Sequence, residues 1–138
     1  MVQIIMKDLK DIINEKLIIN KNTKINKYHY HPQNKKELKE LISKLIEERG
    51  NEADLNDIDV SKITDMAYLF WKSKFNGDIS KWDVSNVTNM QWMFNDSKFT
   101  AENGDISNWN VSKVENMKDA FGYCINNMVN IPTWYKRK

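Results

Sequence analysis

Residues 77–99 read GDISKWDVSNVTNMQWMFNDSKF, and the same pattern stands on both sides of them. The preceding copy, at 53–75, reads ADLNDIDVSKITDMAYLFWKSKF, and the following one, at 104–124, reads GDISNWNVSKVENMKDAFGYC. Val60, Val84 and Val111 hold equivalent positions that lie 24 and 27 residues apart, and the longer step comes from residues 100–102. A repeat of this period is typical of stacked units that each contact only their neighbours. It favours a binding scaffold over an enzyme.

The apolar residues of each copy have helical spacing. Val87, Met90, Met93 and Phe94 lie at i, i+3, i+6 and i+7, on one face of a helix, and Ser85 precedes them as an N-cap. A short extended piece, 78–84 in the second copy, comes first. The other two copies repeat both features with Ser61, Ile63, Met66, Leu69 and Phe70, and with Ser112, Val114, Met117, Ala120 and Phe121. Each copy is therefore predicted to form a strand followed by a helix.

Two polar positions and one aromatic position also recur. Stacked strands would bring like carboxylates within about 5 Å of each other, so we expect each one to accept local backbone amides in a turn. Calcium binding is the weaker alternative, since the spacing lacks the dense alternation of a calcium loop. At the aromatic position, we expect side chains that pack in the core, and rings on which a ligand stacks are the weaker alternative. The three sets are Asp54, Asp78 and Asp105; Asp59, Asp83 and Asn110; and Ile58, Trp82 and Trp109.

The flanks differ from the repeats. Apolar spacing predicts a helix over 3–17, alternation indicates a candidate strand over 24–31, and Asn34 and Gly50 bound a second predicted helix over 35–49. We therefore divide the chain into an N-terminal cap (1–52), three repeats (53–124), and a C-terminal cap with a basic tail (125–138). The segment NIPTWYKRK within this last part is expected to cover Trp109 and Phe121. End-to-end dimerisation through an open last coil is the alternative.

Charge and composition exclude few classes of function. Residues 1–50 carry eleven Lys or Arg against seven Asp or Glu, whereas 51–134 carry seven against twelve. A nucleic-acid binder that uses the basic leader and tail stays open as the less favoured alternative. No apolar run approaches the ~20 residues of a membrane span, and acidic residues interrupt the N-terminal apolar stretch where a signal peptide would have its core. We expect a cytoplasmic protein, with the cell surface as the alternative if a native leader is missing.

The recurring motif GDIS-x-W-[DN]-VS-x-V-x-NM-x-x-x-F resembles the repeats, about 25 residues long, of BspA-like bacterial surface proteins of the Mycoplasma type. The resemblance covers about residues 30–124. It implies an α/β fold, a short leucine-rich-repeat-like solenoid of about three strand-helix coils with an N-terminal helical (α+β) cap. It also implies protein binding without catalytic residues or cofactors. We expect an intracellular phage or mobile-element inhibitor or adaptor that acts on a host protein, with an adhesin-like surface protein as the alternative.

Positions that do not recur indicate where a partner binds. Tyr68, Trp92 and Asp119 share one position, and Trp71 holds the position of Asn95 and Gly122. We predict that Tyr68, Trp71, Lys72 and Trp92 form an exposed partner-binding patch, because large exposed aromatics on a rigid scaffold are typical of interface hot spots. Burial of these residues by the cap or by a second copy is the alternative.

Other chemical sites have weaker support in the sequence. His29 and His31 would share one face of a strand, but the two alone do not make a metal site, and none is predicted. Cys124 is the single cysteine, and we expect it to pack near the last coil.

Overall fold

In a computed structural model, which describes residues 27–136, the regular structure comprises two short elements. Helix α1 spans Lys35–Arg49, and a 3₁₀ helix, η1, spans Cys124–Asn127. The predicted helix over 3–17 and the first three residues of the candidate strand 24–31 lie outside the described residues. The rest of that candidate strand makes one isolated bridge, from Tyr30 to Ile58.

Helix α1 begins and ends where its flanking residues predict. The side chain of Asn34 accepts a hydrogen bond from the amide of Glu37 at 2.9 Å, as an N-cap does. Gly50, at φ 92°, ends the helix and donates its amide to the carbonyl of Ile46. The stripe that faces the core is buried at Leu38, Ile42 and Leu45. The prediction for this helix is confirmed.

The three sequence copies form three stacked coils in register, named here coil 1 (53–75), coil 2 (77–99) and coil 3 (104–124). The amide of Met66 in coil 1 donates to the carbonyl of Asn89 in coil 2 at 2.8 Å. The equivalent residue of coil 2, Met90, donates to Asn116 of coil 3 at the same distance. Each interface between coils thus uses the same positions of the repeat.

The predicted strand-helix coils are wrong. Between residues 27 and 136 the repeats contain no α-helix and no sheet, and the molecule is not an α/β solenoid. The extended pieces meet their neighbours only at isolated parallel bridges, among them Asp54 to Asp78 and Asn89 to Asn116. Most of each coil consists of consecutive turns and irregular backbone.

Two left-handed residues, four positions apart in each coil, explain why the helical spacing produces no helix. Tyr68 and Lys72 have φ of 62° and 54°, and their equivalents in the other coils are left-handed too. Left-handed backbone stops a right-handed helix. Alternate amides, such as those of Leu69 and Trp71, donate to the carbonyl three residues back, whereas the intervening amides donate to the next coil. The same side chains remain buried on one face, so the spacing correctly identified the core residues but not the conformation of the backbone that carries them.

Asp and Asn side chains hold the turns that interrupt the extended pieces. Asp83 Oδ1 accepts the amide of Ser85 at 3.0 Å, and the hydroxyl of Ser85 donates to the same oxygen. Ser85 is therefore held by the turn instead of capping a helix, so its predicted role is wrong. The predicted role of the carboxylates is confirmed, because the amide two residues on donates to each of Asp54, Asp59, Asp78, Asp83, Asp105 and Asn110.

Stacked aromatic rings join the coils through the core. Trp82 and Trp109 lie parallel with centroids 6.5 Å apart, and Trp134 continues the column at 6.2 Å from Trp109. Each indole Nε1 donates to a carbonyl of the coil before it; for Trp82 the acceptor is Leu55. The prediction that this column is core packing is confirmed. A second column of stacked rings runs through Phe70, Phe94 and Phe121.

A charged cluster attaches the segment before α1, and the end of α1, to coil 1. Arg49 Nη1 and Nη2 each lie 2.9 Å from a carboxylate oxygen of Asp57, and His29 Nδ1 lies 3.0 Å from the same group. The hydrogen bonds from Arg49 lower the pKa of Asp57 to about 2, so Asp57 is ionised at neutral pH. His31 lies beside Asp59 in the same way, at 3.4 Å. Both histidines therefore join the leader to the first coil.

Gly77 lies against the backbone of coil 1, and the close stacking there predicts that a larger residue at this position destabilises the fold. A Cβ atom at this position would overlap the carbonyl of Ala53, which accepts the amide of Asp78. Backbone cannot move aside as a flexible side chain can, so we expect Gly77→Ala to lower the free energy of unfolding by about 1–3 kcal/mol. Urea unfolding measures this change. Lys74→Ala, at an exposed position nearby, is the control, and an equal loss in both variants would contradict the account.

Candidate functional site

Coils 1 and 2 bring the predicted aromatic residues together on one surface. The ring centroids of Tyr68 and Trp92 lie 5.8 Å apart, those of Tyr68 and Trp71 6.0 Å, and those of Trp71 and Trp92 6.5 Å. Each ring thus contacts the other two, although Trp71 and Trp92 belong to different coils. We call Tyr68, Trp71, Lys72 and Trp92 the aromatic patch.

The aromatic patch is partly open to solvent and carries one positive charge. Tyr68 is 38% exposed and Trp71 43% exposed, and Trp92 is half-buried between them and its own coil. The ammonium group of Lys72 lies 5.0 Å from the ring centroid of Trp71, within range of a cation–π interaction. The patch therefore offers an apolar surface with a cation at its edge.

A polar residue that the sequence analysis did not single out fixes one ring of the patch. Gln91 Nε2 donates to the hydroxyl of Tyr68 at 3.1 Å, and Gln91 Oε1 accepts from Asn116 Nδ2 at 2.7 Å. This chain of side chains crosses all three coils. A glutamine beside an exposed position carries no recognisable sequence signal, since its role depends on what the next coil places opposite it.

Two of the aromatic residues occupy left-handed backbone. Tyr68 has φ 62° and Trp92 has φ 58°. Left-handed backbone costs a residue with a Cβ about 1–2 kcal/mol, and glycine or asparagine fills such positions at lower cost. The equivalent residue of coil 3, Asp119, is left-handed too, so this backbone conformation belongs to the repeat, and Tyr68 and Trp92 differ from it by carrying large aromatic side chains.

Nucleophilic and metal-binding chemistry finds little support in the described part of the chain. Cys124 is fully buried, with its thiol 3.1 Å from the carbonyl of Phe99, and burial raises its pKa. A thiol in that state is a weak nucleophile. Residues 27–136 hold no group of three His, Cys, Asp or Glu side chains arranged to bind a metal ion.

Three further exposed apolar residues, which the sequence analysis missed, lie at the end of coil 3 and after it. Tyr123 is 77% exposed, Val129 61% and Ile131 50%, and a groove of about 740 Å³ runs beside Tyr123. Phe75 and Phe99, which end coils 1 and 2, are buried, whereas Tyr123, near the end of coil 3, lies in the left-handed position of Lys72. The signal that could have placed it is the spacing from Met117, which equals the spacing from Met66 to Lys72.

A family model described as "Mycoplasma protein of unknown function, DUF285" matches residues 36–138, which include α1, all three coils and the C-terminal segment. The chain belongs to the DUF285 family. This membership confirms the coarser part of the resemblance, a Mycoplasma-type family, and it does not extend to leucine-rich-repeat character. No curated protein and no solved structure matches the DUF285 chain significantly.

The aromatic patch and the groove both lie within the residues that the DUF285 model covers. Across residues 27–136 of this DUF285 protein, no helix is long and apolar enough to cross a membrane.

The left-handed backbone at Trp92 predicts that glycine and alanine variants differ in stability in opposite directions at Trp92 and at Trp71. Trp92→Gly and Trp92→Ala remove the same ring, but only glycine relieves the strain of φ 58°. We therefore expect the glycine variant to be more stable than the alanine variant by about 1 kcal/mol. At Trp71, which is not among the left-handed residues, alanine should instead be the more stable by about 0.5–1 kcal/mol. Urea unfolding of the four variants measures both differences, and the same order at both positions would contradict the backbone assignment.

Proposed function

We propose that this protein is a non-enzymatic binding module for another protein, and that the aromatic patch is its contact surface. The observation that carries the proposal is the meeting of three aromatic rings from two coils at the surface, with Tyr68 and Trp71 exposed and Trp92 half-buried beside them. Scaffold positions recur in every coil, whereas these aromatics do not, so packing of the coils does not require them.

The chemistry of the patch suits a protein partner. Tryptophan and tyrosine provide large contact areas and lose little conformational entropy on binding, so they are enriched among hot-spot residues. The rings of the patch already contact one another, and the backbone that carries them donates amides to the next coil. A partner would therefore meet a surface that needs little further ordering. Lys72 at the edge favours a partner with a carboxylate beside its apolar contact.

The proposal has two forms, which differ in where the partner lies. In the first, the protein is an inhibitor or adaptor that acts on a protein inside the cell, with a phage or mobile element as its origin. In the second, it is an adhesin-like protein that binds at the cell surface. Nucleic-acid binding is less favoured, because the described coils carry more acidic than basic residues and the aromatics of the patch lie beside a single lysine.

A capture experiment tests the patch with a matched control. The full chain is immobilised and exposed separately to the cytosolic and the membrane fraction of a cell that encodes it. We expect one protein to bind the wild type specifically, and its affinity to fall at least tenfold in Trp71→Ala/Trp92→Ala. Tyr123→Ala removes an aromatic of greater exposure from a different surface, and this control should retain the partner.

The fraction that supplies the partner decides between the two forms of the proposal. Equal capture by the wild type and the double variant would overturn the assignment of the patch. Circular dichroism of each variant, recorded first, shows whether its fold is intact.

A further inference from the structure

The two tryptophans of the aromatic patch differ from those of the core in their hydrogen bonds. In the core, Nε1 of Trp82, of Trp109 and of Trp134 each donates to a backbone carbonyl at 2.9–3.2 Å. Nε1 of Trp71 and Nε1 of Trp92 have no acceptor within residues 27–136. In that part of the chain no buried side-chain nitrogen lacks a partner, so Nε1 of the half-buried Trp92 reaches the surface. The patch therefore presents two indole N–H groups to a ligand.

The other polar side chains of the aromatic patch are donors as well. The ammonium group of Lys72 can only donate. The hydroxyl oxygen of Tyr68 already accepts from Gln91 Nε2, so this hydroxyl offers its own hydrogen to a ligand. The amide oxygen of Gln91 is in turn occupied by Asn116 Nδ2. The patch thus combines three aromatic rings with hydrogen-bond donors, while the side-chain acceptors beside the rings are already engaged.

This set of donors distinguishes between the classes of ligand that aromatic surfaces bind. A quaternary ammonium ligand would be repelled by Lys72, whose ammonium group lies 5.0 Å from the ring centroid of Trp71. A sugar brings hydroxyl groups that donate as well as accept, so it needs acceptors in its site.

Carboxylates one coil further on disfavour a free anion. Asp96 and Asp119 hold the positions of Lys72 and Trp92 in the next coil. The amides of Lys72 and Trp92 donate to the residues just before these two aspartates, so the carboxylates flank the patch. The ligand that matches the patch is therefore apolar, uncharged and rich in hydrogen-bond acceptors.

Proline has the properties that this set of donors requires. Its ring is apolar, and its backbone carbonyl accepts hydrogen bonds although the residue has no backbone N–H to donate. Consecutive prolines adopt the polyproline II helix, which makes no internal hydrogen bonds and leaves every carbonyl available. Two residues of that helix advance about 6.2 Å. The ring centroids of the patch lie at a similar spacing, 5.8–6.5 Å.

We infer that the partner contacts the aromatic patch through a proline-rich segment in the polyproline II conformation; this inference rests on the proposed function of the patch. Proline rings of the segment pack against the aromatic rings, and the indole N–H groups of Trp71 and Trp92 donate to its carbonyls. Segments of this kind dock on aromatic-lined grooves in other domains and are ordered before they bind. The patch is ordered too, through Gln91 and its own ring contacts, so little conformational freedom is lost on either side.

The segment comes from a different protein. These 138 residues contain two prolines, Pro32 and Pro132, which lie far apart in the sequence. A second copy therefore has no run of prolines to place on the patch. An acidic residue of the partner, if it flanks the prolines, fits at the edge held by Lys72.

The five tryptophans provide a direct readout, because each indole N–H gives its own NMR signal in the ¹⁵N-labelled full chain. Capped hexaproline is titrated in, and the signals are assigned with Trp71→Phe and Trp92→Phe. We expect the indole protons of Trp71 and Trp92 to move downfield together and to saturate as they gain carbonyl acceptors. Those of Trp82, Trp109 and Trp134, which are already bonded, should stay in place. Capped hexaalanine, which has the same length, should bind at least tenfold more weakly.

Variants separate the contribution of the rings from that of the indole donors. Trp71→Phe and Trp92→Phe each keep an aromatic ring but remove one donor, and each should weaken hexaproline binding about threefold. Trp71→Ala/Trp92→Ala removes rings and donors together and should weaken it at least tenfold. Tyr123→Ala, which lies away from the patch, should bind hexaproline as the wild type does.

Absence of shifts at the Trp71 and Trp92 signals in several millimolar hexaproline would overturn the inference. Tighter binding of tetramethylammonium, cellohexaose or acetate at the same two signals would also overturn it, because each represents a class of ligand that the donors disfavour. A captured partner that requires Trp71 and Trp92, together with no binding of hexaproline, would leave the proposed function in place and refute only this inference. Binding of hexaproline together with equal capture by wild type and double variant would refute the assignment of that partner to the patch and support the ligand class.

Discussion

The division of backbone amides between local turns and neighbouring coils is the constraint on which the rest of the structure depends. Left-handed residues four apart, such as Tyr68 and Lys72, direct alternate amides along the stack. The amides between them close turns within the coil. Coils 1 and 2 therefore satisfy half of these amides through the coil beside them, which is why the units stack.

The sequence predicted the core and the turns because both depend on side chains that recur. Met66 and Phe70 are buried where their spacing places them, and Asp83 holds its turn as carboxylates at such positions do. The predicted helices failed because a spacing of three and four residues describes a face, and a chain of turns can present the same face. Left-handed positions usually carry glycine or asparagine, but in these coils four of the six carry tyrosine, lysine or tryptophan and two carry aspartate, so residue type did not reveal them.

The candidate site could be predicted in part for the same reason. Comparison of the copies identified Tyr68, Trp71 and Trp92 as residues that the repeat does not need, and the structure brings their rings within 6.5 Å of one another. The support from Gln91 and the exposure of Tyr123 depend on contacts between coils, which no single copy reveals. Recurring positions thus build the stack, while the non-recurring aromatic residues form the aromatic patch.

Scalar couplings across hydrogen bonds, measured by NMR on the full chain, test the division of amides most directly. Such a coupling identifies the donor nitrogen and the acceptor carbonyl of one bond. The account predicts couplings from the amides of Met66, Tyr68 and Phe70 to the carbonyls of Asn89, Gln91 and Met93, and from Leu69 to Met66. Couplings from each of these amides to the carbonyl four residues back would show a helix in coil 1 and would contradict the account.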